Sequence, residues 1–264
     1  MTRSVSAALA IAGALLLSGC GIFAVTGSGF IVEQEHVLMG VSAVEAGSGF
    51  DVDIERGVTP SVVIRTDDNI LPHVTVSTEG SRLVIAMEPG YAYFPTTLRA
   101  QVTLPELSGL DLSGGSVGFV ASGFVAPATL RLRLSGGSRA SIGTLDCEAL
   151  DAELSGGSTM AGEISCGSGR ARLVLSGGSG VGPLAGDCGS LTLEQSGGGR
   201  TDLAGFAALT GDITLSGGAV ARVNVSSTLE ADLSGGSTLE YRRYASAPSI
   251  VGLGVSGGSQ IRGY

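Results

Sequence analysis

Apolar and polar residues alternate along the second half of the chain in short runs that all stop at the same tripeptide. Leu130-Arg-Leu132-Arg-Leu134, Leu150-Asp-Ala152-Glu-Leu154 and Ala171-Arg-Leu173-Val-Leu175 are three such runs; Leu191-Thr-Leu193-Glu-Gln195 and Leu229-Glu-Ala231-Asp-Leu233 are two more. A period of two is that of a strand buried on one face, and no helical period competes with it. No proline interrupts these runs, as a paired strand requires. Each leads into Ser-Gly-Gly, which begins at Ser113, Ser135, Ser155, Ser176, Ser196, Ser216, Ser234 and Ser256, at intervals of 18 to 22 residues. Six copies continue with serine, one with Gly199 and one with Ala219.

A fixed period near 20 residues is the signature of stacked repeats. Glycine enters positive φ without steric cost, so each pair reads as a tight corner between two strands. One such unit cannot bury its own apolar row; stacked on its neighbours at ~4.8 Å it can. The expected fold is therefore all-β: a single-stranded parallel β-helix with about 20 residues per coil, right-handed as parallel crossovers are. Stacking also predicts rows. Asp111, Arg133, Glu153, Val174, Glu194, Thr214 and Asp232 lie two positions before the repeated serine, and Gly109, Arg131, Asp151, Arg172, Thr192, Asp212 and Glu230 four before it. Both rows are expected to face water, their charges alternating between adjacent coils. On the following strand the inward candidates are Ile142, Met160 or Ile164, Val181, Leu203 and Val223.

Residues 36–112 are rich in strands but lack the Ser-Gly-Gly corner. Phe50 to Glu55 alternates cleanly, His73 to Met87 reads as a hairpin around Glu79-Gly80-Ser81, and Leu98 to Leu104 alternates again. This part is expected to cap the solenoid or form its first irregular coils, continuous with the 113–264 repeats, because an open coil exposes unpaired backbone.

The first residues are read as an address. Arg3, an apolar run from Val5 to Leu17, and then Leu17-Ser18-Gly19-Cys20 give a signal peptide over 1–19 whose cut is followed by cysteine. The stretch resembles a bacterial lipobox, which implies lipidation of Cys20 and a lipidated tether over 20–35. The alternative is an uncleaved anchor, but the run is shorter than the ~20 residues a transmembrane helix needs. Localisation is thus expected to be exported and membrane-anchored, at the outer membrane or the periplasmic face of the envelope.

The order of features resembles the auto-transporter adhesin head GIN domain family of bacterial surface proteins. The residues that carry the likeness are Gly40-Val-Ser-Ala-Val-Glu, Gly49-Phe-Asp-Val-Asp-Ile, Pro60-Ser-Val-Val-Ile, Asp67-Asp-Asn-Ile-Leu-Pro72, Gly80-Ser-Arg-Leu-Val-Ile and Val102-Thr-Leu-Pro-Glu-Leu107, followed by the repeats. The resemblance runs from about residue 36 to the end and implies an exported β-helix, often a lipoprotein. Family members often carry Gly-Ser-Gly-Asp at the corner, and this chain lacks that aspartate.

Composition narrows the function. Glycine supplies 44 of 264 residues without a Gly-X-Y period, so the chain is not collagen. The net charge of −9 argues against nucleic acid as a partner. There is no lysine; all 15 basic residues are arginine. The repeated serines have no histidine near them to act as base, so they read as a hydroxyl ladder that stabilises the corners and not as nucleophiles. Calcium-binding nonapeptide rolls need a nine-residue period and a corner aspartate, and neither is present. Cys147, Cys166 and Cys188 lie 12, 11 and 12 residues after their coil's first serine. That puts them in one ladder, where they are three buried apolar side chains, one disulfide with a thiol left over, or a metal or redox site. His73 follows Asp67 and Asp68, but Asp-Asp-Asn reads best as a turn whose side chains bond backbone N–H groups. Two aromatic stretches are candidate partner-binding loops: Tyr91, Tyr93 and Phe94, and Tyr241, Arg242, Arg243 and Tyr244.

No catalytic, metal or cofactor site is assigned. The leading expectation is a non-catalytic envelope lipoprotein displaying a rigid β-helix for adhesion or scaffolding, bound to the membrane through its lipid, with a glycan or protein surface as partner. The alternatives are a glycan-active β-helix enzyme and an envelope-stress or regulatory partner. The enzyme reading would gain from two carboxylates on neighbouring coils sharing a groove without a basic neighbour.

Overall fold

The computed structural model describes residues 23–94, 96–243 and 248–264. They form a β-solenoid of about 7 turns with about 21 residues per turn. On one face the strands Gly109–Leu112, Thr129–Leu134, Ala149–Leu154 and Arg170–Leu175 stack in parallel, and the stack continues through the C-terminal parts of Gly180–Ser196, Arg200–Ser216 and Val220–Leu233 to Ser249–Val255. Both expected rows are in register: Asp111 pairs Arg133, Arg133 pairs Glu153, and the ladder runs on to Asp232. Arg133 reaches Glu153 at 3.3 Å and Arg172 reaches Asp151 at 3.7 Å. Such exposed pairs contribute only ~0–1 kcal/mol each; a register slip would put like charges side by side.

The alternate positions point inward. Leu112, Leu134, Leu154 and Leu175 form one buried row, and Leu110, Leu132, Ala152, Leu173 and Leu193 form the next. All the inward candidates of the second strand are buried too. Each fully buried leucine or isoleucine contributes ~1.5–3 kcal/mol relative to exposure, and the row supplies a leucine in most coils.

The corners hold by a different serine from the one expected. Both glycines take positive φ at most corners, for example Gly136 at 64° and Gly137 at 80°. The hydroxyl that closes the turn is the fourth residue's. Ser116, Ser138, Ser158 and Ser237 are buried, and each donates from Oγ to the carbonyl of its corner's first serine at 2.7–2.8 Å. The first serines lie nearer the surface and contribute that carbonyl. Where the fourth residue is Gly199, a Cβ would lie 1.9 Å from the Ser179 carbonyl oxygen and 2.8 Å from Nε2 of Gln195. Buried Gln195 stands there in the leucine row and accepts a hydrogen bond from Thr201 at 2.9 Å.

The cap is built from nine strands: β1 (Phe23–Thr26), β2 (Ile31–Val37), β3 (Ala43–Ala46), β4 (Asp51–Arg56), β5 (Ser61–Asp67), β6 (Val74–Glu79), β7 (Arg82–Met87), β8 (Tyr91–Phe94) and β9 (Leu98–Leu104). β3 and β4 are already a solenoid coil, pairing in parallel with Gly109–Leu112 and Val117–Val120. Their corner is Gly47-Ser48-Gly49, with Ser48 at φ 61° and Gly49 at 80°, and Phe50 buried where the repeats bury serine. β7 and β9, later in sequence, stack on the outer side of β3 and β4. β5 adds antiparallel to β9, β2 adds antiparallel to β5, and β6 adds antiparallel to β7.

The tether expectation for residues 20–35 is corrected in its described part. β1 pairs with β8, and β2 pairs with β5 along its whole length. Asp67-Asp68-Asn69 holds this segment down as a turn. Asp67, buried, accepts from the N–H groups of Gly29 at 2.8 Å and Thr97 at 3.1 Å and from the Thr96 hydroxyl at 3.0 Å. Asn69 accepts from the Ser28 N–H and donates to the Thr26 carbonyl, and the Ser28 hydroxyl bonds Asp68.

Ser158→Ala is expected to lower stability by about 1 kcal/mol in denaturant unfolding, since it deletes a buried hydroxyl bond. Ser155→Ala should stay within ~0.5 kcal/mol, as exposed substitutions do. The N–H donors of Thr97 and Gly29 hold the Asp67 carboxyl below the usual aspartate range. Its stabilising contribution is therefore full above about pH 4 and is lost as the pH falls through the lowered folded value. Amide exchange over residues 23–37 should quicken roughly tenfold in Asp67→Asn, and in the wild type only on acidification.

Candidate functional site

A second column of small residues shapes the outer surface midway round the coil. After the second strand the backbone bulges, with register shifts between Ile142 and Thr144, between Met160 and Gly162, and between Asp202 and Ala207. Gly143, Gly162, Gly182 and Gly205 stand along these bulges. A Cβ at Gly162 would lie 2.0 Å from the Ile142 carbonyl oxygen, and one at Gly182 would lie 2.6 Å from that of Asp202. The close backbone approach is what requires glycine there. The result is an open groove of about 680 Å³ crossing five coils. Ile142 and Leu184, both buried, form its floor. Ser122, Thr144, Pro183, Glu163 and Asp202 stand along it.

The groove is lined mostly by small and apolar residues; its polar side chains are Ser122, Ser141, Thr144, Glu163 and Asp202, with no cation among them. Glu163 and Asp202 are not neighbours. Glu163 pairs with Ala185, and Ala185 with Gly205, so one coil separates them. Two strand steps put them ~10 Å apart along the axis, and Asp202 accepts a hydrogen bond from the Ala204 N–H. The neighbouring-coil carboxylate pair that an acid–base hydrolase would need is not formed here.

The residues singled out in the sequence fall in three separate places. Tyr91 and Tyr93 sit on β8 in the cap, their rings 4.9 and 5.6 Å from that of His73. His73 Nδ1 lies 2.7 Å from Glu88 Oε2, and Phe94 beside them is exposed. Tyr241, Arg242 and Arg243 lie at the opposite end of the solenoid. Tyr241 packs against the core and pairs with Val223 and Gly263, so its ring is not a free contact surface. Arg242 and Arg243 are exposed. Tyr244 and Cys20 lie outside the described residues.

Cys147, Cys166 and Cys188 do fall in one ladder on three consecutive coils, because Asp146 pairs with Ser165 and Ser165 with Asp187. All three are thiols. Among the described residues, no three His, Cys, Asp or Glu side chains converge as a metal site. Sequence reasoning missed the groove and the Gly47-Ser48-Gly49 corner. The signal for the groove was Gly143, Gly162, Gly182 and Gly205 recurring at an irregular 19 to 23 residues.

Fold and surface together define a β-solenoid that presents a long concave face. The chain belongs to the family described as "Putative auto-transporter adhesin, head GIN domain", whose model matches residues 41–245. No curated protein matches it. Solved structures with the same fold include a putative adhesin from Parabacteroides merdae, with TM-score 0.74 and 16% identity over 92% of this chain and 99% of that one. A putative adhesin from Parabacteroides distasonis aligns with TM-score 0.74 and 17% identity over 91% and 97%. A putative lipid binding protein from the same species aligns with TM-score 0.71 and 16% identity over 91% and 99%. At these identities the likeness is one of fold.

Proposed function

We propose that this chain is a non-catalytic, exported lipoprotein that displays its solenoid from the cell envelope and binds an elongated polar chain, a glycan, along the groove. The observation that carries the reading is the groove itself: one continuous concave surface crossing five coils, lined by hydroxyls, small residues and two separated carboxylates. Parallel pairing on either side of the bulges holds this surface between fixed strands, so a ligand is met by a preorganised face. The family description supports surface display and adhesion. Among the described residues no helix is long and apolar enough to cross a membrane; attachment is assigned to lipid on Cys20.

A second reading, lipid binding, is favoured by the cap. Phe30, Met39 and Val58 are 75%, 85% and 93% exposed, and one structural relative is named as lipid binding.

The folded chain carrying Cys20→Ser is expected to bind surface glycans on an array. Ala161→Trp, which fills the groove from an outward position, should weaken that binding at least ~10-fold without moving the melting temperature. Binding that survives Ala161→Trp would remove the groove from the reading. Binding to phosphatidylglycerol vesicles in place of glycans would favour the second. In cells, Cys20→Ser should move the protein from the membrane to the soluble fraction.

A further inference from the structure

Cys147, Cys166 and Cys188 stand in the inner ladder that continues as Ala126 on one side and Ala208 on the other. Three thiols thus occupy positions that neighbouring coils fill with alanine. The sulfurs of Cys147 and Cys166 are 3.0 Å apart, closer than the ~3.5–4.0 Å optimum for non-bonded heavy atoms. Adjacent parallel strands hold their Cα atoms ~4.8 Å apart, inside the span a disulfide bridges.

The three thiols differ in access and in charge. Cys147 is half-buried, while Cys166 and Cys188 are each only 4% exposed. The two sulfurs share a hydrogen bond in which either can donate; with Cys166 as donor it draws Cys147 below the ordinary thiol range and pushes Cys166 above it. Burial pushes Cys188 up to about 12. Cys147 is therefore the most accessible of the three and the one whose pKa is drawn down rather than up, which suits a nucleophilic sulfur.

We propose that Cys147 and Cys166 form a thiol–disulfide site: Cys147 attacks a disulfide-bonded oxidant, Cys166 resolves the adduct into a bridge between adjacent coils, and Cys188 stays a thiol. In the first step the Cys147 thiolate bonds to one sulfur of the oxidant. The oxidant's S–S bond breaks, and its other sulfur leaves and takes up a proton. In the second, Cys166 loses its proton to solvent, its sulfur attacks Cys147 Sγ, and the remaining oxidant sulfur departs as a thiol. Two protein thiols and one disulfide become one protein disulfide and two thiols. The two electrons lost by the cysteines pass to the oxidant. Cys166 is the only ladder neighbour of Cys147 that carries sulfur, and Cys188 is sealed from the oxidant, so the geometry favours this pairing over Cys166–Cys188. The bridge closes a 19-residue separation.

The test equilibrates the folded chain with oxidised glutathione, alkylates it with iodoacetamide before and after denaturation, and maps peptides by mass spectrometry. The expected result is a Cys147–Cys166 link, with Cys188 alkylated only after denaturation. The melting temperature should rise about 5–10 °C and fall back with dithiothreitol. Cys147→Ala should abolish the link and the shift, and Cys188→Ala, which matches the ladder's own alanines, should leave both in place. A persistent glutathione adduct on Cys147, an unmodified Cys147 or a Cys166–Cys188 link would each overturn the proposal.

Discussion

Two successive residues with positive φ turn the chain at most corners, and at four of them a buried hydroxyl bonded back to the carbonyl three residues earlier closes the turn. Side chains other than glycine pay ~1–2 kcal/mol for each left-handed residue, which is why the pair is glycine almost throughout. The turn is so tight that successive corners touch. A Cβ on Gly136 would meet the Gly114 nitrogen at 3.1 Å, and one on Gly156 would meet Gly136 at the same distance. Fixing the corner fixes where the next strand begins, and that fixes which residues face inward. The leucine rows, the charge ladders and the cysteine ladder are all downstream of it.

The outer surface follows from a second and looser constraint. The bend after the second strand absorbs differences in coil length through bulges, and there the backbones press together and admit only small residues. Concavity results because many of the residues along these bulges are glycine or alanine and leave the space outside them open. The same stacking that makes the core continuous makes the groove continuous. The cap meets a different need. Its antiparallel strands finish one end of the stack, and a buried aspartate clamped by backbone N–H groups ties the leading strands onto it.

Strand positions, inward rows and charge rows were legible in the sequence, because a period of two inside a period near 20 admits one register. Leu132 and Arg133 could be assigned to opposite faces without coordinates. The role of the corner serines was not legible. The first serine recurs in all eight copies and the fourth in six, so repetition points to Ser155, whereas the fold buries the hydroxyl of Ser158. The cap's order was hidden for another reason. Nothing in β7 or β9 says that these strands lie outside β3 and β4, since adjacency in a solenoid is inferred from sequence order and here that order is broken. Ser48 hid the first corner by standing where the repeats have glycine.

That broken order bears on how the chain assembles. The coil of β3 and β4 is sandwiched between two layers, β7 with β9 and the strands that begin at Gly109, both of which emerge later from the ribosome. Its oily faces stay uncovered until roughly fifty more residues have arrived, so the earliest coil is a template that waits for its lid. Once β9 has closed that side, growth is possible in one direction only. Each new coil then needs nothing but the one before it, so a coil added or removed at the far end leaves the closed end undisturbed.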